Sequence, residues 1–479
     1  MFLNEGRRIQ LLRNTVVLGA LTWMTSWERA QALEADQLLS YNFDRFLIQP
    51  QLDLSSQFTG NLFYASRDPQ PGGPTIVEVQ TETGDTVPVV VVAPPGSEVA
   101  SDLLWYISPG LLIQYGLNPE NSLNFSYFHD TILYTENSEF NAGQDRLQFD
   151  GRAEFRRFTI KGTDTVSWLD TILGGSTAVA RRVPIRRLVW SDDYRVTYDA
   201  TMKTDFYVGF RHDLSDYLQP INLYDQGTIA GSLGATYKPS EQLGIFVEGS
   251  GGHTEVIGNF PPPPPFPPPL GYPPPPYQIP GNDSFIYGGF VGVRGNFTAR
   301  IDGTVKVGYE TREFPDLETA ASGGSPAVSM AINYTPNVRR FITLSLDRRV
   351  GVSSQVASQS YTYNTFNLSL TQFIGTSGKW MARGQLGFSL NEYSDAPWKG
   401  TAIGIDGSVQ EFVISNARSD QTYSASLGLV YQPKVWLTSS LTYNFEKYTA
   451  TFADPYVALT SGLNDFFVNR VNLQVSIGY

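Results

Sequence analysis

Apolar and polar residues alternate along most of this chain, in blocks of roughly ten to fifteen residues separated by turn-forming residues. The clearest block is 471–479. Val471, Leu473, Val475, Ile477 and Tyr479 are apolar, and Asn472, Gln474, Ser476 and Gly478 between them are polar or small. A period of two marks a strand with one apolar and one wet face. One such strand would suit the edge of a soluble sheet equally well, so the remaining blocks decide.

Strands are predicted at 46–62, 102–117, 122–135, 145–154, 157–169, 186–199, 203–213, 227–238, 241–251, 284–295, 298–312, 326–335, 340–349, 361–374, 379–392, 420–431, 435–449 and 467–479. That makes about eighteen, an even number as in single-chain bacterial outer-membrane barrels. The patterns at 145–154 and 203–213 are the poorest, and loss of one hairpin would leave about sixteen. Short turns follow a tyrosine again and again. Tyr237 precedes Lys238-Pro239-Ser240, Tyr334 precedes Thr335-Pro336-Asn337, and Tyr431 precedes Gln432-Pro433-Lys434. Tyr115 and Tyr198 lie just before similar turns, and Tyr479 occupies the equivalent place. Tyrosine at one rim only reads as an aromatic girdle at the periplasmic membrane interface.

The opposite strand ends open into long polar connections at 68–100, 136–144, 174–185, 214–225, 252–283, 313–325, 350–360, 393–419 and 450–466. Short and long connections alternate, as in barrels with short periplasmic turns and long extracellular loops. The expected fold is therefore all-β: a single antiparallel transmembrane β-barrel in the outer membrane of a Gram-negative-type bacterium. Its last strand should pair with the first, near 46–62, with Val475 and Tyr479 facing lipid. Leu344 should point out and Thr343 in.

Composition fits one barrel. The 479 residues are 41% hydrophobic, and the absence of any apolar run of about twenty residues excludes a spanning helix. Mean hydropathy is −0.19, because only one face of each strand meets lipid. Without cysteine there is no disulfide and no thiolate metal site. The net charge of −12 argues against a nucleic-acid partner.

The amino-terminal region is set apart. Arg7, Arg8 and Arg13, the mostly apolar stretch 15–25, and Ala30-Gln31-Ala32 form the pattern of a secretory signal peptide. The expected layout is signal peptide 1–32, periplasmic segment 33–45 and barrel 46–479. The long loop 68–100 holds two strand-like runs around Thr83-Gly84-Asp85, a hairpin outside the membrane. The loop 252–283 carries proline runs at 261–265, 267–269 and 273–276, which favour extended polyproline II. Such a loop is a rigid surface element, a ligand for a proline-binding partner, or a stiff plug.

Strand parity gives the lumen. Inward cations are Arg146, Arg152, Lys161, Arg195, Arg211, Arg294, Lys306, Arg312, Arg349 and Arg383. Inward acids are Asp130, Asp150, Asp205, Glu248, Asp302, Glu310, Asp347 and Glu446. Charge belongs inside, because Arg or Lys on the lipid face costs about 2–4 kcal/mol at the midplane. Mixed signs either line a water-filled channel or pair off and seal it. Asp164 breaks the parity of its strand, which suggests a wrong or bulged register. Arg181, Arg182, Arg186 and Arg187 form the densest basic cluster, either an anion site or constriction, or a solvated rim.

Catalysis is not indicated. His129, His212 and His253 are scattered, and His212 and Asp213 are adjacent in a strand and so point to opposite faces. No metal-ligand spacing, P-loop or dinucleotide fingerprint occurs, and no cofactor is expected.

Ile107-Ser108-Pro109-Gly110-Leu111, followed by a short turn, and Val307-Gly308-Tyr309-Glu310-Thr311-Arg312-Glu313-Phe314 give a resemblance. With the barrel pattern from about Phe43 to Tyr479, the chain resembles the β-barrel porin type 2 family. The resemblance implies an outer-membrane barrel of a kind often associated with exopolysaccharide or capsule production. It carries over no site residues, and the proline-rich loop departs from it. Two functions stay open: a porin-like channel for polar solutes or for exopolysaccharide export, and a closed structural barrel whose loops bind a partner or surface matrix. The expected partners are outer-membrane lipid and lipopolysaccharide, the barrel assembly machinery and polysaccharide export components.

Overall fold

The period-two pattern becomes extended backbone in every block where a strand is predicted. The computed structural model describes residues 40–62, 73–80, 86–93, 100–118, 120–171, 185–218, 223–259, 283–315, 323–352, 360–394, 398–403, 409–415, 417–453 and 465–478. The strands begin with β1 (Tyr41–Phe43), β2 (Phe46–Thr59), β3 (Gly73–Gln80), β4 (Thr86–Ala93), β5 (Asp102–Asn118) and β6 (Asn121–Tyr134). Next come β7 (Ala142–Phe155), β8 (Phe158–Thr171), β9 (Ile185–Thr201), β10 (Thr204–Tyr217), β11 (Leu223–Tyr237) and β12 (Leu243–Asn259). Then follow β13 (Ser284–Thr298), β14 (Ile301–Glu313), β15 (Gly323–Asn337), β16 (Arg340–Val352), β17 (Ser360–Ile374) and β18 (Trp380–Tyr393). The chain continues with β19 (Trp398–Ile403), β20 (Val409–Ile414), β21 (Arg418–Lys434), β22 (Leu437–Phe452) and β23 (Phe466–Ile477).

Each wall strand pairs antiparallel with the next, and β23 returns to pair with β2, closing a barrel of 18 strands with one extra strand. Closure removes the free edges that an open sheet would expose. Both strands with poor sequence patterns are present as β7 and β10, so the count stays at the upper expectation. The hairpin in the first long loop forms as β3–β4.

Several boundaries differ from expectation. The loop placed at 252–283 opens later, because β12 runs on to Asn259 against Leu223 of β11. Cross-strand pairing there overrides the weak strand preference of Gly251 and Gly252. The connection 393–419 contains a second hairpin, β19–β20. The proline runs, the signal-peptide region, Arg181, Arg182 and Tyr479 lie outside the described residues.

The extra strand sits at the seam. β23 pairs with Leu52–Thr59 of β2, and β1 pairs with Phe46, Leu47 and Ile48 on the same edge. The turn from β1 into β2 uses Asp44 at φ 53°, a left-handed conformation that Asp tolerates better than most residues. At the β5–β6 turn the register shifts after Tyr115. Gly116 has φ +71° there, and a Cβ would lie 2.5 Å from the Asn121 carbonyl oxygen, so only glycine fits.

Two apolar clusters sit on the inner face near the extracellular rim. One joins Leu62, Leu104, Ile132, Tyr134 and Phe140, and the other joins Tyr448, Phe466 and Val468. Much of the remaining apolar surface faces outward. Leu54, Phe58, Val208, Leu233, Val247, Val291, Val307, Leu386, Leu427, Leu441 and Leu473 are all exposed on the outer wall. Among the described residues no helix is long and apolar enough to cross a membrane; the strands make the crossing.

Candidate functional site

The periplasmic rim is built from cross-strand aromatic pairs on the outer face. Tyr115 packs on Phe46 at 4.9 Å, Tyr198 on Phe158 at 4.9 Å, and Tyr431 stacks on Trp380 at 4.3 Å between ring centroids. Tyr237 and Tyr334 are exposed on the same face. The tyrosines were legible in the sequence; their partners were not, though each opens the strand across from its tyrosine.

The inner wall is of two kinds. From β9 to β14 it is crowded with charge and aromatic rings. Glu248 accepts from the Tyr207 hydroxyl at 2.7 Å and from Lys306 at 3.0 Å, and Arg195 lies 3.7 Å away. Arg294 donates to Thr236 at 2.6 Å and to Asp205 at 3.3 Å, while Lys238 reaches Asp205 at 3.1 Å. The Arg195 guanidinium lies 4.3 Å over the Tyr207 ring, and the Lys306 ammonium 4.5 Å over Phe290. Tyr207, Phe246 and Phe290 were missed in the sequence; parity with Asp205, Glu248 and Arg294 places them on the inner row.

From β15 to β22 the lower and middle inner wall is small and polar: Ser329, Ala331, Asn333, Thr343, Ser345, Asn367, Ser369, Gln385, Ser424, Ser426, Thr442 and Asn444. Asp302 accepts from Asn333 at 2.9 Å, Arg349 pairs with Asp347 at 3.3 Å, and Glu446 with Arg470 at 3.3 Å. Arg383 is exposed between Thr371 and Gly428 on this wall.

Exposure inside the barrel changes with height. Ala331, Asn333, Arg383, Gln385 and Ser424 face inward and are exposed. Toward the extracellular end the inward residues are buried on many strands, among them Asp102, Tyr217, Thr254, Ser284, Arg312, Ala327, Asp420, Tyr448 and Val468.

The basic cluster read from sequence does not gather in one place. Arg186 and Arg187 are successive strand residues and point to opposite faces. Arg186 lies on the outer face, paired with Asp170 at 3.1 Å.

The expectation that charge stays inside needs correcting on β6 to β10. The registers of β7–β8 and β8–β9 run without a break, so Asp164 is not bulged; it faces outward. It accepts from the Tyr194 hydroxyl at 2.5 Å. Asp145 accepts from Tyr127 at 2.8 Å and lies 2.8 Å from His129 Nδ1. Asp192 accepts from the Trp190 indole and lies 3.2 Å from His212 Nδ1. Each outward acid thus meets an aromatic or imidazole donor, which lowers the cost of placing it there. Beside them lies an outer groove of about 900 Å³, lined by Leu111, Phe125, Leu147 and Trp168 with His129 and Arg186 at its edge. Among the described residues no group of three or more His, Cys, Asp or Glu could hold a metal.

No protein-family model matches the chain, and no curated protein matches it. Among solved structures it is similar to the outer membrane protein opdK from Pseudomonas aeruginosa, with 10% identity, 90% of this chain and 99% of that chain covered, and a TM-score of 0.39. It is similar to the outer membrane channel DcaP of Acinetobacter baumannii, with 10% identity, 92% and 100% covered, and a TM-score of 0.39. A third is the siderophore receptor PirA from Acinetobacter baumannii, with 9% identity, 89% and 80% covered, and a TM-score of 0.42. A closed antiparallel wall, apolar outside and polar inside with an aromatic rim, makes this chain a β-barrel of the bacterial outer membrane.

Proposed function

We propose that the barrel is a channel for polar solutes. The observation that carries this is the solvent-exposed inner wall at Ala331, Asn333, Arg383, Gln385 and Ser424. A barrel of this strand number is wide enough to leave an aqueous lumen. Its two unlike walls, charged on β9 to β14 and hydroxyl- and amide-rich on β15 to β22, suit hydrated polar solutes and give only modest ion preference. The resemblance to β-barrel porin type 2 proteins supports a place beside exopolysaccharide export, with export components as partners.

A second reading rests on the buried inner residues of the extracellular end, from Asp102 to Val468. Packing there favours a closed barrel that acts through its loops. Conductance of the purified protein in planar bilayers separates the two. Steps of current in potassium chloride support the channel, and a silent bilayer with correctly folded protein overturns it.

A further inference from the structure

Like charges directly opposite one another in a sheet repel, so a row of them is placed by function more readily than by stability. One such row crosses the inner wall. Arg152 of β7 is the direct cross-strand partner of Lys161 of β8, and Lys161 is the partner of Arg195 of β9. The row begins beside Ser122 of β6 and ends at Gly209 of β10, so small residues bound it on both sides.

The outer two cations are held. Arg152 is fixed by Glu154, two residues along the same face of its strand. Arg195 lies over the Tyr207 ring and within 3.7 Å of Glu248. Lys161 between them is exposed, and among the described residues no ion pair neutralises it. Thr159 and Thr197 lie on the row below, and Asp150, Thr163 and Asp193 on the row above. Asp150 is engaged by the Thr163 hydroxyl at 2.9 Å, and Asp193 is exposed.

We infer that Lys161, flanked by Arg152 and Arg195, is a binding station on the lumen wall for a carboxylate-bearing, hydroxyl-rich solute, the chemistry of a sugar acid. The carboxylate takes charge-assisted hydrogen bonds from the ammonium and relieves the repulsion along the row. The solute's hydroxyls meet Thr159, Thr197 and Asp193, acceptors that a simple inorganic anion would not use. The row lies near the turn between Phe155 and Phe158, at the periplasmic end of the wall, so the station meets solute arriving from that side. The inference deepens the channel reading by naming a solute class.

The test is equilibrium dialysis of the folded full chain in detergent micelles against labelled D-glucuronate, with D-glucose as its neutral twin. The wild type should retain glucuronate and not glucose. Lys161→Gln should weaken retention by at least about tenfold, the loss of one charge-assisted bond, and Lys161→Arg should preserve most of it. Equal retention by wild type and K161Q, or equal retention of glucose, overturns the station. In bilayers, glucuronate on the periplasmic side should reduce wild-type current and leave K161Q current unchanged. Lys161-dependent binding with a silent bilayer removes the channel and keeps the station. Current without glucuronate binding removes the station and keeps the channel.

Discussion

Replacing Leu427 with arginine tests whether the outer wall meets lipid where the register places it. Leu427 pairs with Gly384 and Tyr443, all on the outer face, and it is 67% exposed. It stands four residues along β21 from the girdle residue Tyr431. At roughly 3.4 Å per residue and a tilt near 40°, that is about 10 Å above the girdle. The apolar band of such barrels is about 25 Å tall, so Leu427 lies within a few ångströms of the midplane. Arginine there should cost about 2–4 kcal/mol, or roughly 30- to 900-fold in the folding equilibrium. Ser426, its chain neighbour, faces Gln385 and Asn444 inside. Ser426→Arg should change stability by less than about 0.5 kcal/mol. Leu344→Arg should fall between, at about 1 kcal/mol, because Leu344 pairs with Ile332, only two residues from Tyr334. The assay is urea-dependent folding into phosphatidylcholine vesicles, followed by tryptophan fluorescence and gel mobility. Equal losses for Leu427→Arg and Ser426→Arg, or a larger loss for the serine variant, would refute the assigned faces.

Other changes probe separate features. His212→Leu leaves Asp192 without its imidazole partner on the outer wall and should cost about 1–3 kcal/mol, whereas His212→Leu with Asp192→Leu should recover most of that; the same urea titration reads both. Gly116→Ala should cost about 1–3 kcal/mol through its left-handed φ and the clash with Asn121, visible as a lower folding yield. Removing residues 41–43 should raise amide exchange within Phe46, Leu47 and Ile48 and leave the β23-paired stretch Leu52–Thr59 protected.

The wall was legible because a barrel strand needs nothing beyond period two and a turn. Leu344, Thr343 and Arg294 are sorted by parity alone, and the structure keeps the first on the outer face and the other two on the inner. Two kinds of feature were hidden. The first depends on partners distant in sequence: Glu248 and Lys306 come together across β12, β13 and β14, and no local pattern marks that meeting. The second is the outward Asp145, Asp164 and Asp192. A rule that sends charge inward treats Asp164 as a register error, since nothing near it in sequence announces Tyr194 as its donor. Strand ends were blurred wherever pairing carried a glycine-rich segment onward, as at Gly251 and Gly252 of β12.

The seam shares one edge of β2 between two strands that run the same way. β23 descends along Thr59 to Leu52, and β1 takes up the lane lower down, with Tyr41 opposite Ile48. The end of β23 and the start of β1 therefore face each other along a single line. Leu52 and Ile48 stand four residue steps apart on β2, a gap of about 14 Å in extended chain. A linker of about five residues from Gly478 to Tyr41 spans that distance without crossing the wall. The barrel is thus already a circle in all but covalent bond, and it should accept circular permutation. New ends opened in a periplasmic turn such as 238–242 would keep every strand pairing and leave the seam to be closed by the linker.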